Sequence, residues 1–185
     1  MIDTGGLRKG LTMEYDGRLV KVLDFSHNKQ GRGSAQVRMT LRDLRTGSTT
    51  QHSVQAGARF QQVRLERQHV QFLYQDGEHY NFMDTESFEQ MMLDEATVGD
   101  LKLYIKENDT LDVLTYNGEP IDIELPTSVN LRVDYTEPGF KGDTATGGNK
   151  PATMETGLVV NVPLFVSTGD MLKVDTRTGE YIERV

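Results

Sequence analysis

Apolar and polar residues alternate along most of this 185-residue chain. Arg18-Leu19-Val20-Lys21-Val22-Leu23-Asp24-Phe25 and Ala35-Gln36-Val37-Arg38-Met39-Thr40-Leu41 both follow the two-residue period of a half-buried strand. Asp16-Gly17, Asp76-Gly77 and Asn117-Gly118 lie between such runs. These dipeptides supply the positive φ angles of tight hairpins. Thr46-Gly47 and Thr178-Gly179 mark less strict turns. Many short strands with frequent turn signals predict small barrels or sandwiches. One helix is expected, over Thr85 to Glu95, with Asp84 as its cap and Phe88, Met91, Met92 and Glu95 at helical spacing. Its methionines read as core filler. Pro163 falls inside the apolar run Leu158 to Val166 and lacks a ladder donor, so that strand should be an edge or carry a bulge.

Punctuation divides the pattern into three β units of similar size, 1–63, 64–126 and 127–185. Ala56-Gly57-Ala58 opens the last strand of the first unit, and Leu125-Pro126-Thr127 interrupts the chain after the second. Charge follows the same division. Residues 1–63 hold ten Lys/Arg and five Asp/Glu, residues 64–126 four and fifteen, and residues 127–185 six and eight. The formal net charge of -8 alone argues against nucleic acid, yet the first unit is net +5 and can face phosphate locally. Unequal units attracting one another is the simpler reading of the same asymmetry. Cysteine is absent, which excludes disulfides and thiolate metal sites. The N-terminus has no apolar leader and no run approaches 18 apolar residues, so a soluble, cytoplasmic protein is expected.

The search for catalytic chemistry is negative. His27, His52, His69 and His79 show no metal spacing. Asp84/Glu86 and Asp122/Glu124 are acid pairs of a kind a glycosidase uses, but residues two apart on a strand share one face and commonly just meet water. No nucleophile elbow, phosphate loop or dinucleotide fingerprint occurs, and no cofactor is implied. Two loops remain. Lys29-Gln30-Gly31-Arg32-Gly33 joins two alternating runs and is expected to be a hairpin tip that presents Arg32 between two glycines. Phe140 to Lys150 is long, polar and glycine-rich, and its amides and hydroxyls suit sugar and phosphate contacts.

Beyond these loops, Lys150-Pro151-Ala152, Gly157, Val160-Asn161-Val162-Pro163, Gly169 and Lys173 to Tyr181 resemble the C-terminal signature of the bacterial translation elongation factor P family. Gly31-Arg32-Gly33 resembles the family's functional tip, and Gly142-Asp143-Thr144 its loop in the last domain. The resemblance spans the whole chain. It implies an all-β protein: an SH3-like (KOW-type) barrel followed by two oligonucleotide-binding barrels (OB folds) in an L-shaped, tRNA-like arrangement. It further implies a monomeric, non-enzymatic factor that binds the 70S ribosome and its rRNA between the P and E sites and relieves stalls at consecutive prolines. Lys29, Gly31, Arg32 and Gly33 would then approach the end of peptidyl-tRNA, prolyl-tRNA above all. Gly142, Asp143 and Thr144 would approach the E-site codon of the mRNA.

The sequence departs from one family pattern. Many members carry a tip lysine that is extended on its ε-amine, and Arg32 has none to extend. Some bacterial members carry a rhamnosylated arginine there and others a bare one, so a modifying enzyme for Arg32 is an open expectation. Gln30 stands where a proline often precedes the glycine. The alternatives are the factor's paralogue with another stall preference, an enzyme using Asp84 and Glu86, and a generic single-stranded RNA binder. The last is disfavoured because the aromatics do not cluster on one basic face.

Overall fold

A computed structural model describes residues 1–29, 31, 33–140 and 148–185. Alternation becomes strand throughout, in three antiparallel sheets. The first holds β1 (Ile2–Asp3), β2 (Thr12–Tyr15), β3 (Arg18–Asn28), β4 (Gln36–Asp43), β5 (Thr49–Gln55) and β6 (Arg59–Gln62), in the order β1-β6-β2-β3-β4-β5. Met13, Val22, Val37 and Met39 are fully buried on its inner face.

The second sheet holds β7 (Glu66–Asp76), β8 (His79–Asp84), β9 (Gln90–Asp94), β10 (Thr110–Tyr116) and β11 (Glu119–Glu124), ordered β11-β10-β7-β8-β9. The third holds β12 (Ser128–Thr136), β13 (Asn149–Met154), β14 (Val159–Pro163), β15 (Met171–Asp175) and β16 (Tyr181–Arg184), ordered β14-β13-β12-β15-β16. These two sheets share one topology. In each, the first strand is central, pairs with the second and the fourth, and carries a bulge, at Phe72/Tyr74 and at Val133/Tyr135. In each, the third and fifth strands approach one another, so the sheet curls toward a barrel. No sequence repeat announces this duplication. β14 is an edge strand with Pro163 at its end, as the missing donor requires.

The hairpins at Asp16-Gly17 and Asn117-Gly118 have both central residues at positive φ (50° and 71°; 51° and 80°). The third sits one residue later than the sequence suggests. Asp76 pairs with His79, so Gly77 and Glu78 form the turn and only Gly77 (φ 59°) is left-handed. Glycine at the first central position fits a type II′ turn.

The expected helix over Thr85 to Glu95 does not form. Asp84 accepts from Glu86 N (2.8 Å) and Ser87 N (2.9 Å), but this closes a hairpin loop, and Gln90–Asp94 continue as β9 against β8. Helix begins only at α1 (Glu95–Val98), capped by Asp94, and passes into a 3-10 turn over Gly99–Tyr104. Met91 reaches the second core, but Met92 is exposed.

The loop that replaces the helix occurs once in each sheet. Asp43, Asp84 and Asp175 each donate N–H to the residue five along: Ser48 O (2.8 Å), Glu89 O (2.9 Å) and Glu180 O (2.9 Å). Each carboxylate accepts from the N–H groups two and three along. Each loop has a left-handed residue four along: Gly47 (φ 74°), Phe88 (φ 59°) and Gly179 (φ 74°). Left-handed backbone with a β-carbon costs on the order of 1–2 kcal/mol. Two loops avoid that cost with glycine, and Phe88 bears it.

Candidate nucleic-acid interface

β3 and β4 form the longest ribbon of the first sheet. Their register runs to Asn28↔Gln36, which leaves residues 29–35 as the connecting tip. Lys29, Gly31, Gly33 and Ser34 are exposed. Gly31 has φ 61°, and a β-carbon there would meet nothing within 4 Å. Its requirement is therefore conformational, since open space surrounds it. Behind the tip, the Ala56 N–H donates to Ala35 O (2.8 Å) and anchors its far side. Gln30 and Arg32 lie outside the described residues.

One face of the distal ribbon adds to the tip. Ser26 pairs with Arg38, Asn28 with Gln36, Arg38 with Ser53 and Gln36 with Gln55. Cross-strand partners share a face. The outward face beside the tip is thus a field of hydroxyls and amides around the exposed Arg38, a composition suited to sugar and phosphate. The sequence singled out the tip but not Arg38 and its neighbours. Their signal was the polar half of the alternation in Gln36-Val37-Arg38-Met39-Thr40. Opposite that face, Phe25 and His27 meet edge to face at 5.9 Å. At the root of the ribbon, the Lys9 ammonium lies 3.2 Å from Asp24 and, with the Phe25 N–H, holds that carboxyl below its ordinary range.

Not all of the basic charge faces outward. Lys21 Nζ lies 2.9 Å from Asp122 Oδ2, Arg45 lies 3.2 Å from Glu119, and Arg42 donates to Ala96 O. Leu19, Leu44 and Ile121 are buried together beside these pairs. The attraction between unequal segments is therefore real at the junction of the first two sheets, and it occupies two of the cations, Lys21 and Arg45, while a backbone carbonyl holds Arg42. The second and third sheets meet through the 3-10 turn, whose Leu103 and Tyr104 pack against the third core. There Lys106 Nζ donates to Asn130 O (2.9 Å), and Thr156 Oγ1 to Leu103 O.

The second loop lies in the third sheet. Gly142, Asp143 and Thr144 lie outside the described residues, but both stems are visible. A β-carbon on Gly139 would meet Leu164 O at 2.5 Å, and one on Gly148 would meet Leu164 Cδ1 at 3.3 Å. Lys150 is only 8% exposed, and its ammonium donates to Glu137 O. Lys150 therefore ties the stems together and is not a surface cation.

The acid pairs have structural duties. Backbone N–H groups of Ser87 and Glu86 hold the Asp84 carboxyl ionised below its ordinary range, the opposite of what a general acid needs. Asp122 is ion-paired, and Glu124 meets Arg67 at 2.7 Å. His69 is exposed and contacts Asp112, and His79 is exposed. Among the described residues no three His, Cys, Asp or Glu side chains converge on a metal-sized site, and no helix is long and apolar enough to cross a membrane.

The matches to known proteins follow the three sheets. Residues 3–60 match the family described as Elongation factor P (EF-P) KOW-like domain. Residues 65–123 match Elongation factor P (EF-P) OB domain, and residues 129–184 match Elongation factor P, C-terminal. Elongation factor P of Moorella thermoacetica is 53% identical over 184 residues, and that of Pelotomaculum thermopropionicum 50% over 185, each covering 100% of both chains. The protein of that name from Natranaerobius thermophilus is 51% identical over 100% of this chain and 98% of its own. Among solved structures, eukaryotic translation initiation factor 5A from Methanococcus jannaschii superposes with a TM-score of 0.52 at 18% identity, over 67% of this chain and 91% of that one, a likeness of fold. With all three of its sheets matched and half of its residues shared along the full length, the chain belongs to the elongation factor P family of translation elongation factors.

Proposed function

We propose that this factor binds the 70S ribosome between the P and E sites and stimulates peptide-bond formation at polyproline stalls by positioning peptidyl-tRNA. The observation that carries the reading is the tip at the end of β3 and β4. Its described residues Lys29, Gly31 and Gly33 are exposed, Gly31 is left-handed with open space where a β-carbon would stand, and the segment is the one that is net-basic. Phosphate neutralisation by that segment supplies affinity for rRNA and the tRNA acceptor end. Arg32, flanked by Lys29, Gly31 and Gly33, is the positioning cation, with forked donors for phosphate or ribose. Gly142, Asp143 and Thr144 face the E-site codon.

The factor acts without being an enzyme. Proline is a hindered and poorly oriented nucleophile, and holding the tRNA end in reactive geometry lowers the barrier without an acid or base. Orientation supplies up to about 7–11 kcal/mol in the best intramolecular cases. The reading includes a division into domains 1–63, 64–126 and 127–185, a cytoplasmic monomer, and a modifying enzyme for Arg32 in hosts that extend arginine. Relatives spanning the whole chain carry the factor's own name, which favours it over the paralogue.

The test is ribosome profiling in a deletion strain complemented with wild type or Arg32→Ala. Arg32→Ala should restore a folded protein but leave pauses at Pro-Pro. Equal relief of pausing by both would reject the positioning role. Intact mass from the native host reports whether Arg32 is bare or extended.

A further inference from the structure

Phe88 breaks the rule that the other two loops keep. Gly47 and Gly179 fill the left-handed position of the first and third loops, and Phe88 fills it in the second with φ 59°. Buried packing does not compensate, because the side chain is 69% exposed. A bulky residue in this conformation is a backbone outlier, and such strain concentrates where a side chain must be presented. Met92, on the adjoining β9, is a second exposed apolar side chain at 57%, and β9 is the edge of its sheet.

The surroundings select the partner. From residue 68 to residue 101 there is no Lys or Arg, and there are eight Asp or Glu, among them Asp84, Glu86 and Glu89 of the loop itself. An aromatic ring in a field of carboxylates repels phosphate and suits a cationic polypeptide. An apolar anchor with a charged rim is also the usual anatomy of a protein interface.

We propose that Phe88 is a presented anchor, and that the loop Asp84–Glu89 with the edge of β9 docks a basic protein surface on the ribosome. This rests on the ribosome-binding reading above. The chemistry is contact only: the ring enters an apolar niche on the partner, while Glu86 and Glu89 face its lysines and arginines.

The experiment compares Phe88→Gly, Phe88→Ala and the pair Glu86→Lys/Glu89→Lys with wild type, using 70S ribosomes stalled at Pro-Pro. Phe88→Gly relieves the backbone, so its Tm should hold or rise by up to about 4 °C. The concentration for half-maximal stimulation should nevertheless rise at least about fivefold. Phe88→Ala keeps the strained backbone and should lose affinity equally. Charge reversal should weaken binding, and a photoreactive phenylalanine analogue at position 88 should crosslink to protein. Unchanged half-maximal concentration in Phe88→Gly, tighter binding on charge reversal, or crosslinks to rRNA would each overturn the proposal. Arg32→Ala in the same assay should lower the maximal rate. If Arg32→Ala changes nothing, the positioning reading fails, whereas the Phe88 proposal is judged by affinity and crosslinks alone.

Discussion

Glycines in this chain do two different jobs, and the difference predicts different phenotypes. Gly31 stands in open space at φ 61°, so Gly31→Ala introduces only conformational strain at an exposed tip. Global stability should fall by about 1–2 kcal/mol, the cost of a β-carbon in left-handed backbone, and stimulation of Pro-Pro synthesis should fall further than that loss of folded protein explains. Gly139 is the reverse. A β-carbon there would lie 2.5 Å from Leu164 O and 2.9 Å from Leu164 Cβ, and neither atom can swing away. Gly139→Ala should destabilise the third sheet by about 1–3 kcal/mol, the ordinary cost of overpacking. Urea unfolding of the two variants, followed beside the stalling assay, separates them. Full stalling relief by folded Gly31→Ala, or a loss of relief in folded Gly139→Ala, would contradict this division.

At the scale of elements, the alternation and the turn dipeptides carried most of the fold. The strands around Asp16-Gly17 and Asn117-Gly118 lie where the pattern put them, because two-residue hairpins need positive φ and few residues supply it. The helix over Thr85 to Glu95 failed for a chemical reason. An aspartate accepting from the N–H groups two and three along caps a helix and closes a hairpin loop in the same way. What decided between them was the pairing of β9 with β8, a long-range choice that local spacing cannot report. In the candidate site the tip was legible from its glycines, whereas the strain at Phe88 was not, because φ is invisible in a sequence. The shared loop also predicts an acid response. The Arg177 side chain and its backbone N–H hold the Asp175 carboxyl below its ordinary value of 3.8, and backbone N–H groups do the same at Asp84. The unfolded chain therefore binds more protons in this window, so stability rises with pH there. The contribution is fully present above the unfolded value and disappears as pH falls through the lower folded one. Asp175→Asn keeps the acceptor oxygen but cannot titrate. Its Tm should fall less steeply than that of wild type below about pH 4. Parallel profiles would show that this carboxylate does not contribute to acid sensitivity.

Across the whole molecule, charge asymmetry works twice: it leaves the tip segment basic and it fastens that segment to the next. Asp122 sits on β11 with its side chain 5% exposed, and its partner Lys21, on β3, is 31% exposed. The Ile123 N–H is the carboxylate's other contact (2.9 Å). Removing the lysine strands a buried carboxylate, which costs about 3–5 kcal/mol for a fully buried pair and less here because Lys21 is partly solvated. Lys21→Met should therefore destabilise by about 2–4 kcal/mol. Adding Asp122→Asn removes the stranded charge while keeping an oxygen for Ile123, and should recover about 1 kcal/mol or more. Neither change touches the tip, so any loss of stalling relief should track small-angle scattering evidence of a loosened junction between the first and second sheets. If Lys21→Met costs less than about 0.5 kcal/mol, the pair behaves as a solvated surface bridge. In that case the apolar contact of Leu19, Leu44 and Ile121, with the Arg45 and Arg42 contacts beside it, holds the first sheet to the second.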